Sequence, residues 1–240
     1  MSNKLWESTP DVSPGDLPDP NVYRRYRVGS RGLTHKIMDV TLGKAAVQAA
    51  ARALGMMGRG NAIVFDNEDD TSVLMDCALY EYKIKGKNAV QQYQQEIGGE
   101  TEIERELLAA MAASSTSLFR VESVSRKTYS VSLSDLVNEG HTITLMDLYF
   151  SQDVDSDYLL FFRPITLENF SMTSGIAFIF PKHLESELLK RWRGSQSRGV
   201  RRRRRRALPT FLRRYATFFK LSKRKGVEVM YQDVDGINGG

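Results

Sequence analysis

Tyr129-Ser130-Val131-Ser132-Leu133-Ser134 alternates large apolar and small polar side chains, residue by residue. A period of two places every apolar group on one side of an extended chain and the serines on the other. That is a strand with one wet face, and the pattern recurs downstream. Ile143 and Leu145 alternate with Thr142 and Thr144. Phe170 and Met172, then Ile176, Phe178 and Phe180, repeat it, while Leu159-Leu160-Phe161-Phe162 is apolar on both faces. Turn residues separate these runs at Asn138-Glu139-Gly140, at Asp153 to Asp157 and near Gly175. Short strands at such close intervals predict a small, strongly curved antiparallel β-barrel over residues 117–181.

Upstream of Thr116 the period is helical. Leu33, Val40, Val47 and Leu54 recur every seven residues, with Ile37 on the same face, and Gly55, Gly58 and Gly60 end the run. Asp70 stands where an N-cap would, ahead of Leu74, Met75, Ala78, Leu79 and Tyr82. Asn88 caps a segment that turns Val90, Tyr93 and Ile97 inward. Thr101 and Glu104 have capping-box spacing before the stripe Ile103, Leu107, Leu108 and Met111. Pro10, Pro14, Pro18 and Pro20 mark residues 1–30 as a flexible lead. Downstream, Leu184, Leu188 and Trp192 give a further helix. Pro209 opens another, with Leu208, Phe211, Leu212, Tyr215, Phe218 and Phe219 on one side, and Val227, Val229 and Tyr231 suit a late strand. The expected class is α+β: a helical region over 31–116, the barrel, then a basic helical tail over 182–240 that contains an arginine-rich linker.

Charge divides the chain sharply. Between Glu187 and Lys225 stand sixteen Lys or Arg and one acid, against a net charge of +5 for all 240 residues. The remainder is therefore an acidic body. At the centre of the basic window, Arg201 to Arg206 are six consecutive arginines. Their guanidinium groups repel one another and cannot all be buried, so they need solvent or an anionic partner.

Composition removes several classes of function. The single cysteine, Cys77, permits no internal disulfide and no thiolate set for structural zinc. Residues 1–20 are polar and lack a secretory pattern, and the richest apolar run, Ile176 to Phe180, is too short to span a bilayer. A cytoplasmic protein without a transmembrane segment is expected. No phosphate-binding glycine loop and no nucleophile elbow occurs, His35, His141 and His183 are scattered, and no metal or other cofactor is expected.

The segments Asp76-Cys77-Ala78-Leu79-Tyr80-Glu81-Tyr82, Ile103 to Met111, Ser117 to Val121, Asp157 to Arg163 and Gly175 to Pro181 follow one another in a characteristic order. Over residues 70–192 the chain resembles a group of uncharacterised bacterial proteins, some of which carry a C-terminal SEC-C zinc motif. The resemblance implies helices leading into a small barrel of the same strand order. It implies no catalytic residues. The zinc motif has no counterpart here, and the arginine run lies outside the similarity.

The preferred reading is a non-enzymatic nucleic-acid-associated protein, contacting DNA or RNA phosphates through Arg201, Arg202, Arg203, Arg204, Arg205, Arg206, Arg213, Arg214, Lys220, Lys223, Arg224 and Lys225. Trp192, Phe211, Tyr215, Phe218 and Phe219 would add stacking surfaces. Set against it are a solvated linker whose helix packs on the body, a tail folded back to screen the acidic body, and a basic helix on anionic lipid. Two further alternatives are a metal-dependent nuclease built on Asp66, Asp70, Glu81 and Lys83, and a scaffold that docks a protein partner through the Leu208 to Phe219 face.

Overall fold

The computed structural model describes residues 17–196, 209–225 and 229–231. Five strands close into a barrel: β1 (Ser117–Ser125), β2 (Ser130–Asp135), β3 (Thr142–Met146), β4 (Tyr158–Thr166) and β5 (Ser171–Pro181). Neighbours run β1–β2, β2–β3, β4–β5 and β1–β4, all antiparallel. A parallel pairing, Leu145 with Ser171, joins β3 to β5 and completes the circuit. The barrel is thus mixed, where the alternation pattern predicts a purely antiparallel one. Alternation reports which face of a strand is wet, not the direction of its neighbour.

Phe119, Val121, Val131, Leu133, Ile143, Leu145, Leu160 and Phe162 fill the barrel, with Phe150 inserted from the short helix α6 (Phe150–Asp153). Leu159 and Phe161 leave the opposite face of β4 and join Phe178 and Phe180 of β5 against the helices. This explains the unbroken apolar run in β4: both of its faces are inside. The turn expected near Gly175 is a bend within β5. Gly175 has φ +117°, a conformation that suits glycine. Before the bend Ser171 pairs with β3; after it Ile176 to Phe178 pair with a sixth strand, β6 (Val229–Tyr231).

Helix α1 (Pro20–Thr41) begins inside the stretch expected to be a flexible lead. Proline breaks a helix interior, yet Pro20 occupies the first helical turn, where its missing N–H costs nothing, and the Asp19 side chain accepts the Asn21 N–H at 2.7 Å. Arg27 then anchors α1 to β5, donating to the Thr173 carbonyl at 2.5 Å and to its hydroxyl at 2.8 Å. The seven-residue recurrence does not form one helix. The chain breaks at Leu42-Gly43 and restarts as α2 (Lys44–Leu54), so Leu33 and Ile37 are buried while Val40 is exposed.

Helix α3 (Asp69–Tyr80) has Asp70 in its first turn rather than at its N-cap. Helix α4 (Ala89–Glu96) starts with a full capping box between Asn88 and Gln91; Ile97, just past its end, is exposed rather than inward. In α5 (Glu102–Ala113) the box is half made. Thr101 accepts the Glu104 N–H, but the Glu104 carboxylate turns to the Glu100 N–H and to Lys36. Helices α7 (Glu185–Gln196) and α8 (Thr210–Lys225) complete the fold against the outer face of β4 and β5. No helix among the described residues is long and apolar enough to cross a membrane.

Candidate functional site

The basic helix α8 is an internal strut. Leu212, Tyr215, Ala216, Phe218, Phe219 and Leu221 are buried in one cluster with Phe161, Phe178, Phe180 and Trp192. Four of the five rings considered for base stacking are therefore spent on the core; Phe211 alone keeps substantial exposure. Among the described residues, the same burial takes up Leu212, Tyr215, Phe218 and Phe219 of the face expected to dock a partner protein.

The basic side chains of α8 are largely tied to the fold. Arg213 donates to the Ser195 carbonyl at 2.9 Å, joining the end of α7 to the start of α8. Arg214 donates to the Ser195 hydroxyl and lies over the Trp192 ring at 3.7 Å. Lys220 donates to the Ala53 carbonyl at 2.8 Å, at the C-terminal end of α2 where carbonyls lack helical partners. Lys223 bridges Asp66 and Asp70 at 2.7 and 2.8 Å, so part of the cationic segment does fold back on the acidic body. Lys225 approaches Glu187 at 3.4 Å, and Arg224 is exposed. Arg201 to Arg206 lie outside the described residues.

The four residues of the nuclease alternative are not brought together. Asp70 sits in the first turn of α3 and Glu81 caps its far end, roughly 16 Å away along the axis at 1.5 Å per residue. Asp66 and Asp70 face Lys223. Glu81 is buried against Arg163, and the Lys83 ammonium lies 4.6 Å from the Phe211 ring centre. Among the described residues no group of three or more His, Cys, Asp or Glu could hold a metal ion.

Instead, the structure gathers a charged cluster where α3, β4 and α8 meet. Arg163 projects from β4 and is 3% exposed. It pairs with Glu81 through a short hydrogen bond, donates to the Ser114 carbonyl at 3.0 Å, and stacks on Tyr80 at 4.2 Å. Asp76 lies one helical turn before Tyr80 and accepts the Ser174 hydroxyl at 2.8 Å. Burial pushes the Asp76 carboxyl above its ordinary range, with Arg163 and Ser174 opposing the rise. Burial likewise pushes up the Tyr215 hydroxyl, which sits beside Asp76 without an acceptor in hydrogen-bonding geometry. The Nε of Arg163 and the Nε1 of Trp192 also have no acceptor among the described residues. A buried donor left unmade costs about 1–3 kcal/mol.

No local sequence pattern announces this cluster. Its signal is Arg163 itself: an arginine placed directly after Leu159-Leu160-Phe161-Phe162 in a strand buried on both faces must meet a carboxylate.

A carboxyl whose pKa is raised by folding binds its proton more tightly in the native state than in the unfolded chain. It therefore destabilises progressively as pH rises from the unfolded value near 3.8 through the folded one. Asp76→Asn removes that term. Its stability relative to the parent protein is expected to improve across this window and then level off. Urea midpoints between about pH 3 and 7 check this; a difference that does not change with pH would refute it.

The fold and cluster define a class: an α+β protein in which a five-strand mixed barrel is embedded among helices and braced by a buried ion pair. The chain belongs to the family of unknown function DUF7986, whose model matches residues 19–232. That match carries no link to the SEC-C-bearing group. No curated protein and no solved structure matches the chain.

Proposed function

We propose that this protein is a non-enzymatic nucleic-acid-associated protein that grips the phosphate backbone through Arg201 to Arg206. The observation that carries the reading is the placement of the run between two helices locked together. It leaves α7 after Gln196 and re-enters at Pro209, and the Ser195–Arg213 contact ties those ends. In the sequence the six arginines stand between these tied helix ends, and that many like charges on adjacent residues favour an anionic partner. Arg224 of α8 is exposed and can add to that charge. Arg213, Arg214, Lys220 and Lys223 serve the fold first, so the contact set narrows from the one expected of the whole basic segment.

The barrel adds little direct contact in this reading. Small barrels often bind oligonucleotides, an analogy of fold alone. The outer surface of β2 and β3 presents Ser132, Ser134, Thr142 and Thr144, and neither strand carries an aromatic residue. Contacts to the backbone give affinity without sequence preference. Kinship with the SEC-C-bearing bacterial proteins belongs to the same proposal.

The test is a binding titration of single-stranded RNA and of DNA at two or more salt concentrations, using the intact protein and a variant with Arg201 to Arg206 replaced by serine. Each single-strand phosphate contact contributes about 0.7 to the slope of log affinity against log salt. Loss of the run should flatten that slope by up to about 4. Equal slopes for the two proteins would overturn the reading.

A further inference from the structure

Below the joined ends of α7 and α8 lies a cavity of about 270 Å³, and its walls carry an unusual set of side chains. Lys83, Arg163 and Arg214 supply three cations against one carboxylate, Glu81, while Tyr80, Trp192 and Phe211 supply three rings. They come from different parts of the fold. Glu81 caps α3, Lys83 follows it, Arg163 comes from β4, Trp192 from α7, and Phe211 and Arg214 from α8. Five parts of the fold converge here.

Two features set this cavity apart from a solvated crevice. Arg163 and Trp192 are 3% and 5% exposed, and each leaves one N–H donor without an acceptor among the described residues. Buried donors are nearly always satisfied, and exceptions in a folded chain call for a reason. The second feature is the charge. Glu81 is committed to Arg163 by their hydrogen bond, so Lys83 and Arg214 remain to balance two negative charges. Arg214 is half-buried, and burial lowers its pKa, opposed by Glu81. It stays protonated, because guanidinium does so throughout the accessible pH range. A partly desolvated cation gains more from an anion than a hydrated one does. Lys83 stands over the ring of Phe211, a residue that is 44% exposed.

We propose that this cavity binds a phosphate monoester. The dianionic phosphoryl group accepts from Arg163 Nε–H and Trp192 Nε1–H, Lys83 and Arg214 balance its charge, and the Phe211 ring receives a planar substituent. The volume lies near the lower end of the range for small-molecule sites, which fits a ligand of mononucleotide size. This goes beyond backbone gripping by the arginine run and fails separately from it.

The experiment is calorimetric titration of the full chain with inorganic phosphate, adenosine 5′-monophosphate and adenosine, at constant ionic strength set with chloride. Saturable binding of phosphate and of the monophosphate is expected, tighter for the monophosphate, with none for adenosine. Trp192→Phe keeps the ring packing and deletes the donor. It should weaken both phosphorylated ligands roughly tenfold, the effect of losing one hydrogen bond to a charged group. Lys83→Ala, at an exposed position, should weaken both as well. Phe211→Ala should weaken the monophosphate and spare inorganic phosphate. Serine in place of Arg201 to Arg206 should leave all three titrations unchanged, which separates this site from the polyanion contact. Adenosine binding as tightly as its monophosphate, no saturable phosphate binding, or phosphate affinity unmoved in both Trp192→Phe and Lys83→Ala would each overturn the proposal.

Discussion

Glu81→Ala is expected to cost roughly 3–5 kcal/mol of stability, the usual penalty for leaving one partner of a buried ion pair without the other. Both side chains are nearly inaccessible, at 3% for Arg163 and 4% for Glu81. Without Glu81 the guanidinium keeps the Ser114 carbonyl and the Tyr80 ring face, but loses the carboxylate that it bonds directly. Asp76 is the nearby acid that also acts on Arg163. Its own carboxyl is raised by burial, so it is a poor substitute. The informative comparison is the double replacement Glu81→Leu with Arg163→Met. It removes both charges together and should recover most of the loss, because the pair itself adds little net stability over apolar groups of similar size. Urea unfolding of the two single variants and the double variant gives the coupling directly. Losses that simply add would mean that Arg163 and Glu81 do not depend on one another as their geometry implies.

How far this architecture can be read from sequence depends on which surface each element buries. Strands β2 and β3 have one wet face, so Ser130 to Ser134 and Thr142 to Thr144 mark the register plainly. Strand β4 has no wet face, and Leu159 to Phe162 gives a strand without saying what lies on either side. The parallel closure of β3 on β5 is invisible because no local pattern encodes which strand end meets which. Helix α1 was obscured for a different reason. Pro18 and Pro20 look like breakers until Asp19 is taken as the cap and Pro20 as the first helical residue. The charged cluster was legible only as a fragment. Glu81 and Lys83 are close in sequence and suggest one site, yet Glu81 turns inward to Arg163, 82 positions away, while Lys83 stays at the surface on Phe211. Separation of that kind is set by tertiary closure. The reading of α8 as a cationic tail followed its composition. Its arginines and lysines outnumber its other polar groups, but the apolar stripe between them decides where the helix goes.

Phe218→Ala is expected to destabilise the protein by about 3–5 kcal/mol, the range for deleting a large aromatic side chain from a packed core. Phe218 is fully buried. Its ring stacks on Phe161 at 4.2 Å with the planes 5° from parallel, and meets Phe180 and Trp192 edge-on, each at 6.2 Å. Phe161 in turn stacks on Phe178, which contacts Tyr215 and Phe219. Rings from β4, β5, α7 and α8 therefore form one contiguous assembly, and Phe218 touches three of its members. Removing it opens a void that rigid neighbours fill poorly. The consequence reaches the functional test. A chain cut after residue 196 would lose Leu212, Tyr215, Phe218 and Phe219 together and bare Phe161, Phe178 and Phe180 to water. Lost nucleic-acid retention in such a truncation would report unfolding, not a missing contact. Serine at Arg201 to Arg206 changes none of the described core residues, so the unfolding free energy should stay within about 0.5 kcal/mol of the parent, while that of Phe218→Ala falls strongly. A Phe218→Ala midpoint close to the parent value would mean that α8 does not dock in solution as it does here, and the basic helix would again be free to act as an appendage.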